Sequence, residues 1–105
     1  MNDPQFVEAA RQLAAGALKA SADADARLDF LTTRLLSRNF TPAEKAVARR
    51  TADKALLAYQ ADPAAAQALI SVGESPADAA LPAAELAAWT LTASQILNMD
   101  EALSK

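Results

Sequence analysis

The chain has 105 residues, 52% of them hydrophobic, a net charge of −3, and neither cysteine nor histidine. This length supports one compact core, so a single domain spanning 1–105 is expected. The missing side chains exclude a disulfide framework, a thiolate zinc site, a thiol nucleophile, covalently attached haem and the commonest general base.

Alanine fills 29 positions. It is the best helix former and buries little area per residue, which predicts closely packed helices around a thin core. Capping signals divide the sequence into five helical segments. Asp3-Pro4 starts the first, with Phe6, Ala10, Leu13 and Ala17 at helical spacing and an end near Ser21. Ser21 to Asp25 is a polar turn leading into the second, which carries Leu28, Leu31 and Leu35 on one face and is expected to end around Arg38-Asn39.

Thr41-Pro42-Ala43-Glu44 is a capping box with proline at the first helical position. The third helix should run from it to about Gln60, burying Ala48, Ala52, Leu56 and Tyr59. Asp62-Pro63 caps a short fourth helix, closed by Val72-Gly73, and residues 74–81 form an ordered loop. The last helix begins at or just after Pro82, turns Leu86, Trp89, Ala93 and Ile96 inward, and is expected to fray after Asn98. The fold class that follows is all-α, an antiparallel bundle of four main helices plus one short one.

Several stretches, in order, carry a family resemblance. They are Asn2 to Arg11, Thr41 to Glu44, Ala61 to Ala66, Val72 to Pro76, Glu85 to Thr90 and Leu97 to Glu101. Together they resemble the C-terminal end of the domain of unknown function 1553, found in large planctomycete and verrucomicrobial proteins that often also carry a cytochrome c-like module. The chain departs from that pattern at Asn39-Phe40, where the family has two prolines, and at Leu81-Pro82-Ala83, where it has Leu-Asp-Pro. The resemblance implies the tail of a larger exported protein. It implies no activity.

Four features compete for a functional role. Gly73-Glu74-Ser75-Pro76 can aim a carboxylate into a cleft, but glycine after a helix is normally a turn-former. Asn98, Asp100 and Glu101 lack the calcium-loop spacing and its glycine, so a helix end with solvated acids is the simpler reading. Trp89 is in register with an apolar stripe and is read as core.

The fourth feature is charge. From Arg27 to Lys54 the net is +4, and the remainder carries −7. Arg34, Arg38, Lys45, Arg49, Arg50 and Lys54 can therefore face an acidic partner or nucleic acid, although pairing with Asp29, Glu44, Asp53 and the acidic loops is the default for such residues. Phe40 joins them as a candidate contact, with Val7 and Leu18, as apolar groups a bare docking face would leave exposed.

No catalytic, cofactor-binding or metal-ligating residues are assigned, and no cofactor is expected. The expected function is a structural or interaction module docking on the rest of a parent protein or on a second copy of itself. The alternative is a small helical protein that binds nucleic acid or an acidic partner. No apolar run reaches the length of about 18 residues a membrane span needs, so no membrane insertion is expected.

Overall fold

Each of the five segments becomes a helix. The computed structural model describes residues 4–36 and 38–103, with 99–103 as backbone. The helices are α1 (Pro4–Ala20), α2 (Ala24–Leu35), α3 (Pro42–Ala61), α4 (Pro63–Ile70) and α5 (Ala83–Leu103). The fold is all-α, four longer helices and one short one, with no strand among the described residues.

Helix α5 is the axis. It touches each of the other four, while α1 neighbours α2, α2 neighbours α3, α3 neighbours α4, and α4 returns to α1. Lys45 pairs with Asp29 and Arg49 with Asp25, so α2 and α3 run antiparallel. Gly16 lies against Phe30 across the intervening turn, which gives α1 and α2 the same relation.

With neighbours on several sides, the first half of α5 is buried around its whole circumference: Leu86, Ala87, Ala88, Trp89 and Thr90 are buried in succession, while Gln95 and Asn98 farther along are exposed. Its two buried hydroxyls are satisfied within the helix. Thr90 Oγ1 donates to the Leu86 carbonyl at 2.7 Å and Thr92 Oγ1 to that of Ala88 at 2.9 Å. The first helix, which packs on α5, α2 and α4, buries Ala10, Ala14 and Ala17, all at 0% exposure, and such small side chains let backbones approach closely. Leu28, Leu31, Leu86, Trp89 and Ile96 supply most of the bulk, and one cluster of buried residues draws on all five helices.

The helix starts follow the capping chemistry. The Asp23 carboxylate accepts from Ala26 N–H, and that of Asp62 from Ala65 N–H. At α3 the capping box is complete: Thr41 Oγ1 accepts from Glu44 N–H, and Glu44 Oε1 accepts from Thr41 N–H. Thr41→Ala should therefore cost about 1 kcal/mol in urea unfolding. An unchanged midpoint would mean that the hydroxyl is dispensable. The Asp3 cap lies outside the described residues.

Several boundaries and burials differ from expectation. Helix α2 ends at Leu35, not near Arg38-Asn39. Leu36 caps it by donating to the Thr32 carbonyl, and the early stop lets Phe40 turn into the core before Thr41 starts α3. Phe40, expected at the surface, is only 9% exposed, and Leu18 is equally buried, while Val7 is half-buried. Within α3 it is Ala55, not Leu56, that joins Ala48 and Ala52 inside. Leu56 and Tyr59 are half-buried. The α5 backbone continues to Leu103 where fraying after Asn98 was expected.

Candidate functional site

Two of the most buried charged groups hold helices together. Arg11 sits on the inner side of α1 with only 3% exposure. Its Nη1 donates to the carbonyls of Ile70 at 2.8 Å and Val72 at 3.2 Å, so a guanidinium closes the C-terminal end of α4, where unpaired carbonyls and the helix dipole both favour a cation. Glu8, one turn earlier, lies 3.6 Å from Arg11 and accepts from the backbone N–H groups of Ser75 at 2.6 Å and Glu74 at 3.4 Å.

Gly73 makes this clamp possible. Its φ is +98°, and a Cβ there would lie within 2.7–2.8 Å of Glu8 side-chain atoms. The glycine was expected to end α4, but Ser71 caps that helix and Gly73 makes the turn beyond it. Gly73-Glu74-Ser75 is thus the loop that Glu8 grips, and the Glu74 side chain is exposed.

Arg27, on α2, does for the C-terminal end of α1 what Arg11 does for that of α4. Its Nε donates to the Ser21 carbonyl at 2.7 Å, its Nη1 reaches Glu85 Oε1 at 3.2 Å, and its guanidinium lies 5.6 Å from the centre of the Trp89 ring. Arginines within apolar helix faces were the available sequence signal for both residues. Glu8 and Glu85 gave none.

The basic stretch divides in two. Arg38 makes a bidentate contact with Glu44, at 3.0 and 3.2 Å. Lys45 is 2.9 Å from Asp29, and Arg49 is 3.3 Å from Asp25 and 3.7 Å from Asp53. Arg34 lies over the Phe30 ring, 3.5 Å from its centre. Arg50 and Lys54 remain exposed and have no partner among the described residues. The structure therefore brings Arg38, Lys45 and Arg49 against carboxylates and leaves two cations of α3 free. Phe40 is buried and unavailable to a partner.

Hydrogen bonding sets the pH response. Arg38, followed by the Thr41 N–H, holds Glu44 down to about 2 from an ordinary 4.5. The Ser75 hydroxyl and N–H lower Glu8, and Lys19 lowers Asp78. Asp29 raises Lys45 above 10.5. Depressed carboxylates contribute stability above their unfolded values and lose it as pH falls through their folded ones; a raised lysine contributes below its unfolded value and loses it as pH climbs past the folded one. Melting temperature should accordingly fall from about pH 4.5 toward 2 and again in alkali above 10.5. A flat profile below pH 4.5 by circular dichroism would mean these contacts are absent in solution.

Sequence reasoning missed a groove between α3 and α5. It has a volume of about 270 Å³ and is lined by Val47, Ala48, Thr51, Thr92, Gln95 and Ile96, with Ala43 and Glu44 at one end. Val47 (53% exposed) and Leu57 (69%) are the large apolar residues left most open among those described. The described residues contain no group of three or more acids that can hold a metal ion, and no helix is long and apolar enough to cross a membrane. The side chains of Asp100 and Glu101 lie outside the described residues, and Asn98 is exposed.

Comparison with family models, with curated proteins and with solved structures yields no match to this chain.

Proposed function

We propose that the chain is an interaction module, a helical domain that docks on the remainder of a larger exported protein and carries no catalysis of its own. The observation that supports this reading is the division of labour among its side chains. Arg11, Arg27 and Glu8 are engaged in joining helices, whereas α3 shows solvent two large apolar residues and two unpaired cations. The proposal of a parent protein rests on the ordered resemblance to the domain of unknown function 1553.

An acidic partner is the form of the alternative that the geometry favours, through Arg50 and Lys54. Nucleic acid has less support, because Arg38, Lys45 and Arg49 are already engaged by carboxylates.

The test is calorimetric titration of this chain with the polypeptide encoded by the reading frame upstream of Met1. Saturable binding supports the module reading. An upstream product that fails to bind, or the lack of any such frame, overturns it.

A further inference from the structure

One exposed stripe of α3 carries Val47, Arg50, Lys54 and Leu57, spaced three, four and three residues apart and hence aligned along the helix. The stripe spans roughly 15 Å at a rise of about 1.5 Å per residue. Val47 belongs both to the stripe and to the α3–α5 groove, so apolar surface continues from the helix face into the depression beside it.

The charges around this surface have one sign left over. Glu44, the acid at the groove's end, is bound by Arg38 and by the Thr41 N–H. On the α5 side the wall is Thr92, Gln95 and Ile96, all uncharged. Every other cation of α1–α3 is engaged: Arg11, Lys19, Arg27, Arg38, Lys45 and Arg49 by carbonyls or carboxylates, and Arg34 by the Phe30 ring. Along this apolar strip Arg50 and Lys54 thus have no carboxylate partner among the described residues, and the neighbouring Asp53 is turned toward Arg49, 3.7 Å away.

The backbone chemistry narrows the occupant further. Both walls of the groove are helices, whose N–H and C=O groups in mid-helix are bonded within the helix. A segment lying there finds side chains and no backbone partners, so it must satisfy its own peptide groups, as a helix does.

Resting on the reading of the chain as an interaction module, we propose that the α3–α5 groove and the Val47–Leu57 stripe receive an acidic amphipathic helix. Its apolar side chains lie on Val47 and in the groove, and its carboxylates, spaced one turn apart, meet Arg50 and Lys54.

The probe is a synthetic, end-blocked helical peptide about four turns long, with leucine at the first and fourth positions of each heptad and glutamate flanking them. A twin carries lysine in place of each glutamate. Fluorescence anisotropy with the full chain should show saturable binding of the acidic peptide and none of its twin. Affinity should fall about tenfold or more with Val47→Asp, and by a similar factor with Arg50→Glu and Lys54→Glu together. The double reversal should in turn bind the lysine twin. These positions are exposed, and unchanged far-ultraviolet circular dichroism will show that each variant is folded.

Equal binding of both peptides, indifference to Val47→Asp, or no binding of the acidic peptide overturns the assignment. So does a concentration-dependent dimer abolished by Val47→Asp, which makes a second copy the occupant, or tighter binding of duplex DNA than of peptide. The upstream-polypeptide titration separates the two readings. Binding there that survives both sets of substitutions keeps the module and removes this face from it.

Discussion

Trp89→Ala should destabilise the chain by about 3–5 kcal/mol and lower its melting temperature by more than about 12 °C. The ring is 4% exposed, on the helix that every other helix touches. The core has few flexible side chains to fill the space, because alanine forms so much of it, including Ala10, Ala14, Ala17, Ala52 and Ala66. The space left by the ring closes only if helices move, and α5 is in contact with all four of the others. The Arg27 guanidinium would also lose its aromatic neighbour. A domain of this length has about 5–15 kcal/mol of stability in total, so the variant should be partly unfolded near 37 °C if the wild type lies toward the lower end. A loss below about 1 kcal/mol in denaturant titration would show that the ring is not packed in the core.

Arg11→Met should cost about 2–4 kcal/mol, an effect reaching well beyond one surface contact. Methionine keeps the apolar stem but leaves the carbonyls of Ile70 and Val72 without their donor in a site where water has little access. Removing the charge also leaves Glu8 without its cationic neighbour. Arg11→Lys should recover only part of the loss, since one ammonium cannot reproduce the fork of a guanidinium. Hydrogen exchange supplies a local readout. The Glu74 and Ser75 amides, gripped by Glu8, should exchange faster in Arg11→Met than in Thr41→Ala. Equal exchange in the two variants would mean that Arg11 does not organise the loop.

The helices were legible wherever a cap and a proline coincided. Thr41-Pro42 and Asp62-Pro63 place the starts of α3 and α4 within a residue because those signals act through neighbouring backbone groups, whereas the end of α4 comes two residues before the expected Val72-Gly73. The end of α2 was not legible. It depends on Phe40 entering a core built by distant helices, and Arg38, which looks like a C-terminal cation, instead pairs forward with Glu44. The choice of Ala55 over Leu56 has the same origin: the rotation of α3 is set by what α5 offers it.

The candidate interface was half legible. A basic α2–α3 segment is plain in the sequence, but which cations remain free depends on Asp25 and Asp29 lying across from Arg49 and Lys45. The groove beside Val47 arises between residues more than forty positions apart and has no local signature. Phe40 misled for the opposite reason. A lone aromatic beside a polar residue in a short connection looks exposed until the helices on either side close over it.

The central position of α5 bears on how the chain is made. A ribosome releases α1 to α4 before the helix that unites them, so the alanine faces destined for α5 spend that interval uncovered. Helices α1 and α2 can form a hairpin at once, and α3 can lie against α2 through Lys45–Asp29 and Arg49–Asp25, but both pairings still lack the helix that all of them touch in the finished fold. Small side chains make that wait less hazardous than leucines would, since each presents little sticky surface to a neighbouring nascent chain. Growth of the polypeptide therefore runs from the rim to the hub, and the alanine that thins the finished core also protects the unfinished one.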